Sequence, residues 1–275
     1  MKFATKQIHA GQHPEEVTGA VITPIFQTST YSNAKLGESK GFDYGRTINP
    51  TRIALEQNLA ALENGKHGFC FSSGMAAVQA VITLFKPGDH VICTNNVYGG
   101  TYRLFEQIIK NYGLEFSYVD TSDNEALKNA VKDNTKFIYV ETPTNPMLNI
   151  TDLKYLGELG KSKSITTCVD NTFMSPYFQN PLDFGIDVVL HSSTKYINGH
   201  SDVIGGCLIT NNDGIAEKLK FIQNSIGAVP APFDCWLILR STKTLAQRMK
   251  AHNENAIAIC EVLSDESKIE KIYYP

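Results

Sequence analysis

A chain of 275 residues is long enough to bury a substantial core, as one large domain or as one domain plus a smaller piece. Its 25 basic and 28 acidic side chains are dispersed and leave a net charge of −3, which argues against nucleic acid or an anionic membrane surface as the main partner. The start, Met1-Lys2-Phe3-Ala4-Thr5-Lys6, lacks the apolar core of a signal peptide, and no later stretch is apolar for long enough to span a bilayer. The six cysteines form no Cys-x-x-Cys pair and the seven histidines no His-x-x-x-His spacing. Buried reduced thiols in a cytoplasmic, metal-free protein are therefore expected.

In chain order, residues 1 to about 50 are rich in Thr, Gly, Pro and Tyr with weak periodicity, and read as an irregular extended arm. From Pro50 the pattern alternates. Ile53 to Leu62 has helical spacing and stops near Asn64-Gly65, a suitable C-cap. The short strand Phe69-Cys70-Phe71 leads through Ser72-Ser73-Gly74 into an Ala-rich helix. His90 to Thr94 follows a Pro87-Gly88-Asp89 turn as a strand, then come a helix over Thr101 to Tyr112 and a strand over Leu114 to Val119. The alternation repeats as a helix near Asn124 to Lys132, a strand at Phe137 to Val140, a helix at Asp152 to Lys161 and a strand at Ile165 to Val169. Short apolar strands alternating with helices predict an α/β fold, its mostly parallel sheet covered on both faces. Ligands gather at the carboxyl ends of such strands, so the residues following each strand are the candidates.

Each candidate has an ordinary role beside a chemical one. The Ser73-Gly74-Met75 turn opens a helix and offers free backbone N–H groups to an anion, or merely caps the helix. Tyr98, followed by Gly99-Gly100, presents an aromatic face to something planar, or packs in a tight loop. Asn145, set between Pro143 and Pro146, hydrogen-bonds a phenolic oxygen or forms a turn. Asp170 closes a buried apolar strand, where a carboxylate is costly unless a cation or donors compensate it. A protonated pyridine nitrogen is one such cation.

The most telling tract is His191-Ser192-Ser193-Thr194-Lys195, which follows the apolar run Asp187-Val188-Val189-Leu190. A lysine at the end of a buried strand has its pKa lowered by desolvation and presents a nucleophilic amine. That is the chemistry pyridoxal 5'-phosphate (PLP) requires. The hydroxyls of Ser192 and Thr194 stand within reach of an anion, and Asp170 lies upstream as the counterpart of the lysine.

Taken together, these residues resemble the Cys/Met-metabolism family of fold-type I PLP enzymes. The likeness runs from Pro24-Ile25-Phe26-Gln27-Thr28-Ser29-Thr30-Tyr31 to Lys271-Ile272-Tyr273-Tyr274-Pro275, and Asp170-Asn171-Thr172 with Ser192-Ser193-Thr194-Lys195 makes it specific. The resemblance implies a seven-stranded sheet between helices. Lys195 is then the point of covalent cofactor attachment and the later proton carrier. Asp170 pairs with the pyridine nitrogen, and Tyr98 stacks on the ring and serves as acid or base. The backbone amides of Gly74 and Met75, beside Ser73, hold the phosphate with the Ser192 and Thr194 hydroxyls. Asn145 sits near the ring oxygen and the substrate, Thr172 lies against the other ring face, and Arg103 falls near the substrate.

Tyr44-Gly45-Arg46, with Asn49-Pro50-Thr51-Arg52, resembles the family segment that reaches into a neighbouring subunit's phosphate site. Glycine in its middle, where Ser or Ala is usual, is a mild departure. The resemblance thus implies a homo-oligomer, a dimer of dimers, acting on a small sulfur amino acid. It divides the chain into an arm (1–50), a PLP-binding domain (51–235), and a linking helix with the start of a truncated C-terminal domain (236–275). Within that last part, Trp236 to Leu263 is expected as one long helix and Lys268 to Tyr274 as a strand. The family's arginine for the substrate α-carboxylate belongs to a portion beyond Pro275.

Gly100 stands where methionine γ-lyases carry a cysteine, and Ile222 to Pro230 looks most like the cystathionine γ-lyase branch, with bacterial γ-synthases close. The expected reaction is α,γ-elimination of L-cystathionine to cysteine, 2-oxobutanoate and ammonia; γ-replacement on an O-acylhomoserine, or a non-catalytic PLP-binding remnant, are the alternatives. A dinucleotide-binding protein is disfavoured because no Gly-x-Gly-x-x-Gly follows the early strands.

Overall fold

The computed structural model describes residues 1–275. Seven strands, β1 (His67–Phe71), β2 (His90–Thr94), β3 (Glu115–Val119), β4 (Thr135–Glu141), β5 (Thr166–Asp170), β6 (Val188–His191) and β7 (Gly206–Thr210), form one sheet in the order β1-β7-β6-β5-β4-β2-β3. The five strands from β2 to β6 run parallel, and β7 lies antiparallel between β6 and β1. The mostly parallel α/β fold expected from the alternation is the one observed.

Alternate residues of each strand enter different layers, as a period of two requires. Phe137 and Tyr139 of β4 join one cluster with Phe71, Val81 and Phe105, whereas Ile138 and Val140 join another with Ile92 and Leu156. The first cluster packs beneath α3 (Gly74–Ile82), α4 (Gly99–Gln107) and α8 (Asp213–Ile226); the second lies beneath α6 (Leu153–Lys163). A third cluster joins Val189 and Ile209 to Leu55 and Leu59 of α2 (Pro50–Leu62) and Ile238 of α9 (Pro232–Thr242). Burying each large side chain such as Phe105 or Leu55 stabilises the fold by roughly 1.5–3 kcal/mol. No helix is long and apolar enough to cross a membrane.

Four expectations change. The first fifty residues are not irregular throughout, because Phe3–His9 form a short helix, α1. Its one buried residue is polar, so no apolar period announces it: the Gln7 amide donates to the Lys243 carbonyl and accepts from the Ala246 N–H, both at 3.0 Å. The helix expected over Trp236 to Leu263 is two helices, α9 and α10 (Leu245–Ser264). At the break the Thr242 and Thr244 hydroxyls donate to the carbonyls of Leu239 and Ser241, and Arg248 also donates to Ser241, so side chains replace the helical ladder there.

The tail Lys268 to Tyr274 is not a strand; no other strand lies beside it to pair with it. The helix expected to run to Tyr112 ends at Gln107 and continues as a 3-10 turn over Ile109–Tyr112, closed by Gly113 at φ 89°. The remaining short helices are α5 (Asn124–Asn129), which stops before Lys132, and α7 (Ser175–Phe178).

The rest of the arm is anchored at the start of α2. Asn49 caps the helix through its Oδ1 and donates to the Phe26 carbonyl. The buried Arg52 guanidinium donates to the carbonyls of Gly45, Arg46 and Thr47 at 2.9–3.0 Å, which fixes the Tyr44–Arg46 segment against the body.

Candidate active site

A cavity of about 340 Å³ opens at the carboxyl ends of β4, β5 and β6, against the N-terminus of α3. This is where a parallel sheet leaves backbone groups and strand-end side chains free for a ligand. Glu141, Asp170 and Leu190 are register partners at that end and line it together.

One end of the cavity suits an anion. At the start of α3 the Ala76 N–H is capped by the Ser73 Oγ at 3.0 Å and the Ala77 N–H by the Ser73 carbonyl, leaving Gly74 and Met75 without an intrahelical acceptor. Gly74 is required here, since a Cβ would stand 2.9 Å from the Cβ of Ser192. That close approach brings the helix start and the Ser192 turn together around the cavity. Thr194 also lines it, but its hydroxyl donates to the Gly205 carbonyl and accepts from the Gly205 N–H. Of the two hydroxyls expected to reach an anion, Thr194 is thus committed within the protein.

The other end suits a cation. Asp170 is 9 % exposed and its carboxyl is pushed up by burial. The Thr172 hydroxyl and N–H, His191 and the Tyr139 hydroxyl pull it back only in part. Thr172 donates to Asp170 Oδ1 through its hydroxyl at 2.5 Å and its N–H at 3.1 Å, and the same hydroxyl accepts from the Ser192 N–H. Thr172 therefore ties the Asp170 and Ser192 strand ends together as well as lining the cavity. Tyr139 donates to Asp170 Oδ2 at 3.2 Å from inside the core.

Lys195 lines the cavity but does not end a buried strand. It lies past β6, in a turn where its N–H donates to the Ser192 carbonyl, and its side chain is exposed. The burial expected from its place in the sequence is absent, because the turn carries the side chain clear of the core. Its amine is in no ion pair, so it faces the cavity uncommitted. Tyr98, half-exposed at the N-cap of α4, and Asn145, exposed after β4, complete the lining.

Three candidates lie elsewhere. Arg103 is exposed on α4 and does not line the cavity. Tyr44 and Arg46 are exposed on the arm, where the guanidinium lies 5.4 Å from the Tyr44 ring centroid and bonds to Asn224. The main lining residue missing from the candidates is Glu141, whose carboxyl burial and the Asp170 charge push up to about 7. The signal was present: like Asp170, it is an acid closing a buried apolar strand. No three His, Cys, Asp or Glu side chains cluster so as to hold a metal, and the six cysteines are unpaired.

An anion cradle of helix-start amides and Ser192, two buried acids with no cation between them, and a free amine at the rim match the charge pattern of PLP. The residues present fit that cofactor.

Comparison with known proteins agrees. The model of the family described as Cys/Met metabolism PLP-dependent enzyme matches residues 4–275. A probable cystathionine gamma-synthase of Herpetosiphon aurantiacus is 53 % identical, over 99 % of this chain and 86 % of that protein. A cystathionine gamma-lyase of Bacillus subtilis is 50 % identical, over the whole of this chain and 73 % of the relative. The solved cystathionine gamma-lyase of Lactobacillus plantarum, complexed with L-serine, superposes with a TM-score of 0.98 at 47 % identity, covering all of this chain and 72 % of that one.

Proposed function

Since the chain belongs to the Cys/Met metabolism family of PLP-dependent enzymes, we propose that it cleaves the carbon–sulfur bond of L-cystathionine on the γ-carbon side, giving cysteine, 2-oxobutanoate and ammonia with the uptake of one water. The observation that carries this reading is the meeting of Lys195, Asp170 and the start of α3 around one cavity. Gly74, Met75 and Ser192 would hold the phosphate, Asp170 the pyridine nitrogen, Tyr98 and Thr172 the ring faces, and Lys195 the covalent attachment. Bound there, PLP supplies an electron sink that stabilises negative charge on the substrate carbons beside the amino group.

The chain's own residues do the rest. Lys195, exposed at the rim, would take the substrate's α-carbon proton and then a β-carbon proton, whose loss lets sulfur leave the γ-carbon, and would return protons to carbon as 2-oxobutanoate forms. The Asp170 carboxylate, fixed by Thr172 and Tyr139, would keep the cofactor's cationic ring nitrogen in one place. The Tyr98 hydroxyl, beside the opening, protonates the departing sulfur. Gly100 supports the choice of cystathionine over methionine: a Cβ there would stand 2.4 Å from the Tyr98 ring, so a cysteine would displace that ring.

Addition of cysteine to an O-acylhomoserine is the second reading, supported by the 53 % identical synthase relative. A direct assay separates the two. With PLP and cystathionine alone, 2-oxobutanoate and cysteine should form, and Lys195→Ala should abolish both products and the visible absorbance of the bound cofactor. Cystathionine made from O-acylhomoserine and cysteine, with no 2-oxobutanoate, would establish the synthase instead; pyruvate would place the cleavage on the other side of sulfur.

Tyr44 and Arg46, exposed and away from their own cavity, support a homo-oligomer, a dimer of dimers, in which each arm completes a neighbour's phosphate site. The same positions support the arm (1–50) as a part distinct from the PLP-binding domain. A single-copy mass in solution at full PLP occupancy would overturn this assembly.

A further inference from the structure

Glu141 is the buried group at the cavity that the proposed mechanism leaves without a task. It is 5 % exposed at the end of β4. Its two oxygens serve two different turns: Oε2 accepts the Tyr98 N–H and Oε1 the Asn145 N–H, each at 2.8 Å. One carboxylate therefore joins the turn that starts α4 to the turn that follows β4. Both turns carry a side chain that lines the cavity.

We propose that Glu141 is a positioning residue, its ionised carboxylate clamping the Tyr98 turn to the Asn145 turn and so setting the two side chains beside the cofactor. This rests on the reading of the cavity as the cofactor site. A carboxylate is the group the geometry requires, since only the ionised form offers both oxygens purely as acceptors. A protonated Glu141 makes one oxygen a donor and a weaker acceptor, so one of the two N–H groups loses its charge-assisted bond.

The surroundings make that ionisation sensitive to what the cavity holds. From β5, the adjacent Asp170 faces Glu141 and raises its carboxyl further after burial has done so. From β4 comes Tyr139, whose phenol bonds Asp170, and from β2 the buried Cys93 thiol. The Thr94 hydroxyl of β2 accepts the Glu141 N–H and carries no charge. Lys195 lines the same cavity with an exposed amine. Glu141 itself is in no ion pair. A cation arriving against Asp170 offsets the repulsion between the acids, so loading the cavity favours the ionised Glu141 and tightens the clamp.

The test starts on cofactor-free protein carrying 15N in tyrosine and asparagine. The Tyr98 and Asn145 amide resonances should titrate together with one midpoint near pH 7, and PLP should move that midpoint down. Glu141→Gln, which cannot accept on both sides, should abolish the shared titration. In the loaded enzyme it should keep PLP affinity within about threefold and KM within about twofold while kcat falls about tenfold, the pattern of a displaced but intact site. Amides that titrate separately or not at all, or a Glu141→Gln enzyme with unchanged kcat, overturn the proposal. Should that variant fail to fold, the wild-type titration alone decides. If the wild type never takes up PLP, the cofactor reading fails, and the cofactor-free titration still shows whether the clamp exists.

Discussion

The strand ends of β5 and β6 carry buried polar groups on both faces of the sheet, and the two faces treat them differently. On the α2 side, Glu63 is 1 % exposed, and both of its oxygens are partnered. Its Oε1 lies 2.5 Å from His191 Nε2 and accepts from Asn171 at 2.8 Å, while Oε2 accepts from Asn180. On the cavity side, Asp170 and Glu141 stand next to each other with neutral donors and no cation. Consecutive residues, Asp170 and Asn171, serve opposite faces because strand side chains alternate. The difference teaches how to read a buried acid. Where protein groups close around it, it holds architecture; where it faces a cavity only partly compensated, it holds affinity for an incoming charge.

The largest expected effect breaks the comparison directly. Glu63→Gln should lower unfolding stability in denaturant by about 1–3 kcal/mol, since its amide nitrogen cannot accept and leaves one of the buried donors on His191, Asn171 and Asn180 unpartnered. Asp170→Asn should change cofactor-free stability by no more than about 1 kcal/mol, because an amide still accepts from Thr172, yet should remove most PLP binding. Equal losses in the two variants would erase the distinction between the faces.

A pH series on cofactor-free protein tests the cavity side alone. Glu141 has a folded pKa of about 7, above the roughly 4.3 of an unfolded glutamate. Folding therefore retains a proton that the unfolded chain releases. The contribution is complete below about pH 4 and is lost as pH rises through about 7, on the order of 3 kcal/mol in all. Asp170, shifted in the same direction, adds to it. Melting curves of wild type and Glu141→Gln should diverge in slope across that window, and PLP should shrink the divergence; parallel curves would show that burial does not hold the proton.

The smallest effect places Ser73 on one side or the other. Its hydroxyl caps α3, so Ser73→Ala should cost about 1 kcal/mol of stability. If capping is its whole role, PLP affinity should stay within a few-fold by equilibrium dialysis. A large loss of affinity with unchanged stability would move Ser73 into the phosphate cradle proper.

Much of this was legible along the chain, and for local reasons. The turn Pro87-Gly88-Asp89 and the apolar run after it mark β2, and Asp152 flags a helix start by capping chemistry. Asp170 and Lys195 were visible because an ionisable residue just past an apolar strand is out of place. Glu141 carried the same signal but looked like part of the turn Thr142-Pro143-Thr144-Asn145. Helix α1 left no trace, since a polar glutamine is what anchors it.

The sequence by itself determined the class of the sheet, the strand ends that bear chemistry and the kind of cofactor those ends suit, because strand periodicity and misplaced charges are local properties. Only the tertiary structure decided which oxygens are free and which are taken. Thr194 is spent on Gly205 and Thr172 bridges Asp170 to Ser192. Lys195 stands in the open, and Glu141 links two turns forty-three and four residues away. Hydrogen-bond partners and burial depend on which segments the fold brings side by side, and no spacing along the chain records that.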